Sequence, residues 1–330
     1  MKKLVEHSRV LVTGGAGFIG SSLVETLLAQ GNEVVVLDNF STGKRENLAP
    51  FAANRAFMLV EGDIRDSSAC RRAAAGVDFV LHEAALSSVP RSIKDPATTT
   101  EVNVSGFVNM LFAAHEAGVK RVVYASSSSV YGDDPNLPKV EERIGHQLSP
   151  YAVTKYTDEL FAENFSRVYG MEMIGLRYFN VYGRRQDPEG AYAAVIPKFV
   201  AALIRHEAPL INGDGSNSRD FTYVDDVVQA NQLALLAGPE TINTVYNVAC
   251  GDRMTLNELF GVLRENLTRF DPEIAKIEPQ YGPSRAGDIP HSLASIDKVR
   301  TLLGYLPRFG VKEGLKNAAE WYWRRETQRI

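Results

Sequence analysis

Between Arg9 and Gly20 the chain reads RVLVTGGAGFIG: a short β-rich apolar run, then glycines at positions 14, 17 and 20, then a helical stretch. No other segment restricts the possible folds so strongly. Gly14 permits a tight turn, Gly17 lets backbone come close to a pyrophosphate, and Gly20 lets helix and strand pack closely. Backbone N–H groups and the positive end of the helix dipole then face the phosphates. A glycine-rich loop without a ligand is the competing reading, and a lone motif is weak evidence against it. Asp38 tips the balance. It ends the second β run, 18 residues beyond Gly20, where a carboxylate accepts hydrogen bonds from an adenosine ribose diol. An acid there also repels a 2′-phosphate, which favours NAD over NADP. Asp63 ends the third run and can meet the adenine amino group, or equally cap a turn.

Arg9–Val12, Glu33–Leu37, Phe57–Glu61, Phe79–His82, Arg121–Ala125 and Met173–Tyr178 read as buried strands. Helical stretches at about 21–30, 100–118 and 151–169 lie between them. Such alternation predicts an α/β fold, a Rossmann-type doubly wound parallel sheet with ligands at the carboxyl ends of the strands. After about Tyr182 turn-rich segments predominate, and we expect a smaller, interleaved C-terminal substrate-binding domain. Residues 1–180 would form the dinucleotide domain, with a later stretch (about 225–250, including Val245–Val248) returning to it. Residues 181–330 would mainly hold substrate. At ~150 residues per domain, 330 residues fit two such parts.

Composition removes other classes. A net charge of -4 leaves no positive excess for binding nucleic acid without sequence preference. No run of 18 apolar residues predicts a membrane-spanning helix. Glu6, His7 and Arg9 interrupt what would otherwise be a signal sequence, so a cytoplasmic protein is expected. Cys70 and Cys250 have no zinc-like spacing, so neither a disulfide scaffold nor a metal site is expected.

Tyr151 and Lys155 stand four apart on a predicted helix and so share a face. A phenol ionises near ~10, too high for a base at neutral pH. A neighbouring ammonium and a pyridinium cofactor would both favour phenolate. A Tyr-x-x-x-Lys pair alone is as well read as a surface pair. The serines at 126–129, at the end of a strand and 24 residues upstream of Tyr151 for Ser127, change that weighing. A serine there can hydrogen-bond a substrate oxygen and shuttle its proton to Tyr151; an ordinary serine turn is the alternative.

In this order, Gly14-x-x-Gly17-x-x-Gly20, the strand-end serine, Tyr151-x-x-x-Lys155 and RYFNVYG (177–183) resemble an extended short-chain dehydrogenase/reductase over essentially the whole chain. Within that group the chain is most similar to UDP-hexose 4-epimerases, in particular UDP-N-acetylglucosamine 4-epimerases. The similarity is carried by SVPRSIKDP (88–96), LSPYAVTKY (148–156), RYFNVYGRRQDPEGAYAAVIPKF (177–199), INGDGSNSRDFTYVDD (211–226) and RAGDIPHS (285–292). The resemblance implies that Ser127 and Tyr151 act as the catalytic pair, with Lys155 binding the nicotinamide ribose and tuning Tyr151. It implies an NAD site lined by Gly14, Gly17, Phe18, Ile19, Asp38, Asn39, Ser41, Thr42, Gly43, Asp63, Ile64, Ala84, Ala85, Asn103, Ser126, Tyr151, Lys155 and Tyr178. It implies a UDP-sugar site of Ser88, Ser127, Ser128, Asn180, Ala194, Val195, Phe199, Leu210, Asn212, Arg219, Leu256, Arg285, Asp288 and Ser292. Arginines suit a diphosphate. The implied chemistry is redox-neutral: Tyr151 takes the proton of the sugar 4-hydroxyl, C4 gives a hydride to tightly held NAD, the keto sugar turns over and the hydride returns. It also implies a homodimer through the helices at about 100–118 and 151–169; Val104, Val108, Leu111 and Phe112 on the first would face a core or a partner.

Sister reactions divide on single positions. Dehydratases and decarboxylases of the family carry an acid just after the strand-end Ser/Thr, where this chain has Ser128 and Ser129. Glucose- and glucuronate-type epimerases fit the serine-rich strand end as well. Ser292 replaces a bulky tyrosine of epimerases limited to non-acetylated sugars, leaving room for an N-acetyl group. Ser87 stands where the acetyl-type pattern has glycine, and Glu83 where it has an uncharged residue, both near the pocket-facing end of the fourth strand. A non-catalytic nucleotide sensor is the rival class, but such a chain is expected to lose the serine, tyrosine or lysine, and all three are present.

Overall fold

The computed structural model describes residues 5–188, 194–283 and 290–328. Arg285 and Asp288, expected at the sugar site, lie outside the described residues. Strands β1 (Arg9–Thr13), β2 (Glu33–Asp38), β3 (Phe57–Glu61), β4 (Phe79–His82), β5 (Arg121–Ser127) and β6 (Glu172–Tyr178) form one parallel sheet. Next come β7 (Val181–Tyr182), β8 (Leu210–Asn212), β9 (Ser218–Arg219) and β10 (Thr222–Tyr223), and then β11 (Thr244–Val248) returns to the sheet beside β6. The order is β11-β6-β5-β4-β1-β2-β3. The chain leaves β1 towards one edge and resumes at β4 on the other side, so a crevice opens at the carboxyl ends of β1 and β4.

Both faces of the sheet are covered, which is why its strands are continuous apolar runs rather than alternating ones. On one face Val10, Val12, Val34, Val36 and Val123 pack against Leu23, Val24 and Leu27 of helix α1 (Phe18–Ala29) and against Val227 and Val228 of a later helix. On the other, Leu11, Val35, Val80, Val122 and Tyr124 pack on Cys70, Phe107, Met110, Ala162 and Phe165. Each fully buried aliphatic side chain contributes about 1.5–3 kcal/mol. The helices behind these contacts are α2 (Arg45–Leu48), α3 (Ser67–Ala74), α4 (Val89–Lys94), α5 (Pro96–Thr100), α6 (Gly106–Glu116) and α7 (Pro150–Tyr169).

The helix expected over 100–118 differs from the observed one. Asp95 accepts the Thr98 amide and Pro96 follows at the first helical position, so the helical run starts earlier. A π-helical turn over Glu101–Ser105 then separates α5 from α6. Strand β5 also runs two residues beyond Ala125, because Ser126 and Ser127 pair with Arg177 and Tyr178 of β6.

The second part has its own core, in which Tyr182, Phe199, Phe221, Tyr223, Leu259, Leu263, Leu315 and Tyr322 meet. It combines α8 (Val195–Ile204), α9 (Val224–Leu235), α10 (Leu256–Thr268), α11 (Asp297–Leu303) and α12 (Val311–Thr327) with three ribbons. These pair β7 with β10, β9 with β12 (Met254–Thr255), and β8 with β13 (Gln280–Gly282). Helix α9 crosses back to α1, where Gln30 donates to Gln232 at 3.2 Å. The two parts therefore interleave.

Candidate active site

A cavity of about 470 Å³ occupies the β1/β4 crevice. Gly14 turns at φ +67°, and a Cβ there would lie 2.8 Å from the Ala84 amide nitrogen. A Cβ on Gly20 would lie 2.2 Å from the Gly14 carbonyl oxygen. The loop is thus as tight as glycine allows. Helix α1 begins with Gly17 as a cap that has no side-chain hydrogen bond, and its first turn has no acid. Its free N–H groups are a seat for an anion. Asp38 sits at the end of β2, its Oδ2 accepting from the Ala16 amide at 2.9 Å and its Oδ1 from the Phe40 amide at 2.8 Å. Burial raises its pKa and the two amides oppose that. Each oxygen keeps a lone pair, so the carboxylate can still accept a ribose hydroxyl. Asp63 lies on the cavity wall beside Arg65 and Asn39, and Arg65 holds its carboxyl down to about 2.

Phe18, Ile19, Asn39, Ser41, Thr42, Gly43, Ile64, Ala84, Ala85, Ser126 and Tyr178 line the same cavity. Asn103 does not. It is buried in the π-helical turn, accepting from the Leu86 amide and donating to Thr154 Oγ1, so it braces the loop after β4. The fit for a dinucleotide is therefore made by the glycine cradle, the open helix end and Asp38 together.

Tyr151, on the first turn of α7, reaches the opposite wall. Ser149 caps that helix at the Ala152 amide and Pro150 starts it, which fixes where Tyr151 emerges. One turn on, Lys155 is 3% exposed; its Nζ donates to the Ala125 carbonyl at 2.9 Å and to Asp158 Oδ2 at 3.2 Å. Burial lowers its pKa, but Asp158 and Tyr151 outweigh that and leave it raised. Burial in turn pushes Asp158 up to about 7, against the pull of Lys155.

The serines divide their work. Ser126 Oγ donates to Glu159, itself paired with Arg177 at 2.8 Å, so that hydroxyl is turned from the cavity. Ser127 Oγ accepts both the Ser129 amide at 3.1 Å and the Ser129 hydroxyl at 3.0 Å. With two donors received, the Ser127 proton is free to point at a ligand oxygen in the cavity it lines. Ser128 lies in a 3-10 turn away from both cavities, and Ser88 is used as the N-cap of α4.

A second cavity, about 520 Å³, adjoins the first; Asn180, Val181 and Gln186 belong to both walls. Ala194, Val195, Phe199, Leu210, Asn212, Arg219 and Leu256 line it. Asn180 stands at φ 32° and donates to the Asp220 carbonyl at 3.0 Å, an arrangement that turns the chain between the cavities. Ser292 is not on the lining; its amide donates to the Ser218 carbonyl beside Arg219.

Several site residues were not singled out from sequence. Glu83 lines the first cavity and accepts the Tyr178 hydroxyl at 2.8 Å; its unusual charge at a strand end was the available signal. Lys44, Arg185 and Asp187 also line it, and Lys44 pairs with Asp187 at 2.8 Å. Asp220, beside Arg219, is buried and accepts the amides of Cys250, Gly251 and Ala294. Burial raises it to about 7, and three N–H donors work in the other direction.

The fold and this paired site define a dinucleotide-dependent enzyme with a second ligand held against the cofactor. Residues 10–249 match the NAD dependent epimerase/dehydratase family. The UDP-glucose 4-epimerase of Mycolicibacterium smegmatis is 38% identical over 316 residues, 95% of this chain and 98% of that protein. The structure of UDP-N-acetylglucosamine 4-epimerase from Methanobrevibacter ruminantium with UDP-N-acetylmuramic acid is 37% identical. It superposes with a TM-score of 0.90 over 97% of this chain and all of that one. UDP-glucose 4-epimerase from Thermotoga maritima, with UDP-glucose, is 40% identical, with a TM-score of 0.88 over 97% of this chain and 99% of that one. The chain belongs to the NAD dependent epimerase/dehydratase family, and its cofactor is NAD. Among the described residues no helix is long and apolar enough to cross a membrane.

Proposed function

We propose that this isomerase, an NAD-using UDP-sugar 4-epimerase, interconverts UDP-N-acetylglucosamine and UDP-N-acetylgalactosamine. The observation that carries the 4-epimerase reading is the adjoining pair of cavities, with Tyr151 and Ser127 on the wall of the first and Asn180 shared by both. Bound NAD supplies the redox chemistry, accepting a hydride and giving it back. The chain's residues do the rest. Tyr151 as phenolate takes the proton from the 4-hydroxyl and later returns it. Ser127 donates its free proton to the same oxygen. Lys155, held cationic beside Asp158, favours the phenolate and reaches towards the ribose of the cofactor. Arg219, Asn212 and the apolar Val195, Phe199 and Leu256 suit a uridine diphosphate. The interlocked cradle around Gly14 and Asp38 supports tight retention of NAD.

The preference for acetylated sugars is supported by Ser292, a small residue on the strip that runs beside Ser218 and Arg219. UDP-glucose or a UDP-hexuronate is the alternative substrate. Assaying UDP-N-acetylglucosamine, UDP-glucose and UDP-N-acetylgalactosaminuronate side by side decides, with S292Y as the control. We expect S292Y to suppress turnover of the acetylated sugar and spare UDP-glucose. Unchanged turnover of the acetylated sugar would overturn the preference.

We also infer that two copies associate through α6 and α7. Phe112, Val153, Leu160 and Val168 stand 40%, 50%, 49% and 62% exposed on these helices. Leu111 turns inward and is fully buried. A contiguous apolar surface of this kind marks an interface. Sedimentation should give twice the 36.3 kDa chain mass, and V153E/L160E should give the single-chain mass.

A further inference from the structure

A buried polar chain leads from helix α9 to the wall of the cofactor cavity. Asn231 Nδ2 donates to the Tyr178 hydroxyl at 2.8 Å. That hydroxyl has one proton, and it goes to Glu83 Oε1, also at 2.8 Å. The direction of this chain is fixed, because an amide N–H can only donate. Glu83 Oε1 is therefore committed as an acceptor, and only Oε2 can take up or lose a proton. Among the described residues no hydrogen bond engages Oε2. Glu83 shares the cavity wall with Tyr151, Lys155 and Ser127.

We propose that Glu83 is a positioning residue for the proton chemistry of Tyr151: the protonation of its second oxygen sets how much of the Lys155 charge acts on the Tyr151 phenol. The groups around it support this. From α7 it faces Lys155, whose charge is already shared with Asp158 one turn on and with Tyr151. From β6 it faces Tyr178, which burial keeps neutral. From its own strand, His82 is buried, accepts the Thr13 hydroxyl and is held down to about 3, so it brings no charge. Arg177 and Glu159 neutralise each other further along the strand. Glu83 is thus the variable charge in this set. Burial pushes its carboxyl up to about 7, against the Tyr178 hydrogen bond and Lys155. Below that pH the neutral acid leaves Lys155 to favour the phenolate. Above it the carboxylate offsets Lys155 and opposes the phenolate.

The inference rests on Tyr151 as the base, and its test separates the two ideas. The tyrosinate absorbance of the full chain, less that of Y151F, reports the ionisation of Tyr151 without turnover. In E83Q, which keeps an acceptor for Tyr178 and loses the charge, that midpoint should fall by about one pH unit. The acidic limb of kcat should move with it, while KM changes little. In Y178F the carboxyl stays protonated to higher pH, so the midpoint should fall in the same direction by less. A Tyr151 midpoint unmoved in both folded variants would overturn the role of Glu83. A resting chain in which Y151F removes no titrating phenol while activity persists would instead overturn Tyr151 as the base.

Discussion

The two cavities are built in opposite ways. The cofactor cavity is made from consecutive strand ends: Gly14, Asp38, Asp63, Glu83 and Ser127 follow β1, β2, β3, β4 and β5 or end them. The second is stitched from segments far apart in sequence. Asp220 alone ties its own loop to Cys250, Gly251 and Ala294, residues 30, 31 and 74 positions away. A sheet with period-2 geometry aligns its strand ends automatically. A stitched site depends on single polar anchors. Substitutions should therefore act separately on cofactor and substrate, with chemistry failing at the seam.

The largest effect belongs to that seam. Y151F should lower kcat by about a hundred- to ten-thousand-fold while purified protein keeps its NAD; near-normal kcat would remove Tyr151 from the mechanism. G14A should act on the cofactor half. A side chain at φ +67°, with its Cβ 2.8 Å from backbone, should cut NAD affinity about tenfold or more. UDP-sugar binding measured calorimetrically should change little. D220A should do the converse. Stripping three amides of their acceptor costs about 3 kcal/mol, seen as a lower melting temperature and a raised KM for the UDP-sugar at unchanged NAD content. If D220A instead releases NAD and leaves KM alone, the division between the halves fails.

The smallest effect is on stability against pH. Glu83 has a folded pKa of about 7 against an ordinary 4.5. Between those values the folded chain holds a proton the unfolded chain has released, so the Glu83 contribution to stability falls as pH rises through this window and is level above it. E83Q should lose this slope and melt about 2 °C higher than the parent at pH 8. An equal slope in both proteins would show that Glu83 is not buried in a charge-disfavouring site.

The same contrast explains what could be read from sequence. The apolar runs Val34–Leu37 and Val122–Val123 and the glycine spacing are local signals, and they locate the crevice and most of its wall. The Asp95-Pro96 helix start was also local but lay outside the apolar periodicity, so the helix was expected to begin too late. Asn103 carries a polar side chain at a cavity-facing place in the sequence, yet the π-helical turn directs it to Leu86 and Thr154. Asp220 was illegible because its partners are brought to it only by the folded chain. Glu83 was visible as a departure from pattern, but its bond to Tyr178 spans 95 residues and follows from the pairing of β5 with β6 and of β4 with β5.

The central claim is that one site takes a hydride from C4 and returns it to the same carbon. The most direct test uses UDP-N-acetylglucosamine carrying deuterium at C4, incubated with the full chain in ordinary water and followed by NMR. We expect the C4 epimer to form with the deuterium retained and without added reductant. Loss of the label to solvent, or no epimer from this sugar or from UDP-glucose while NAD stays bound, would contradict the account.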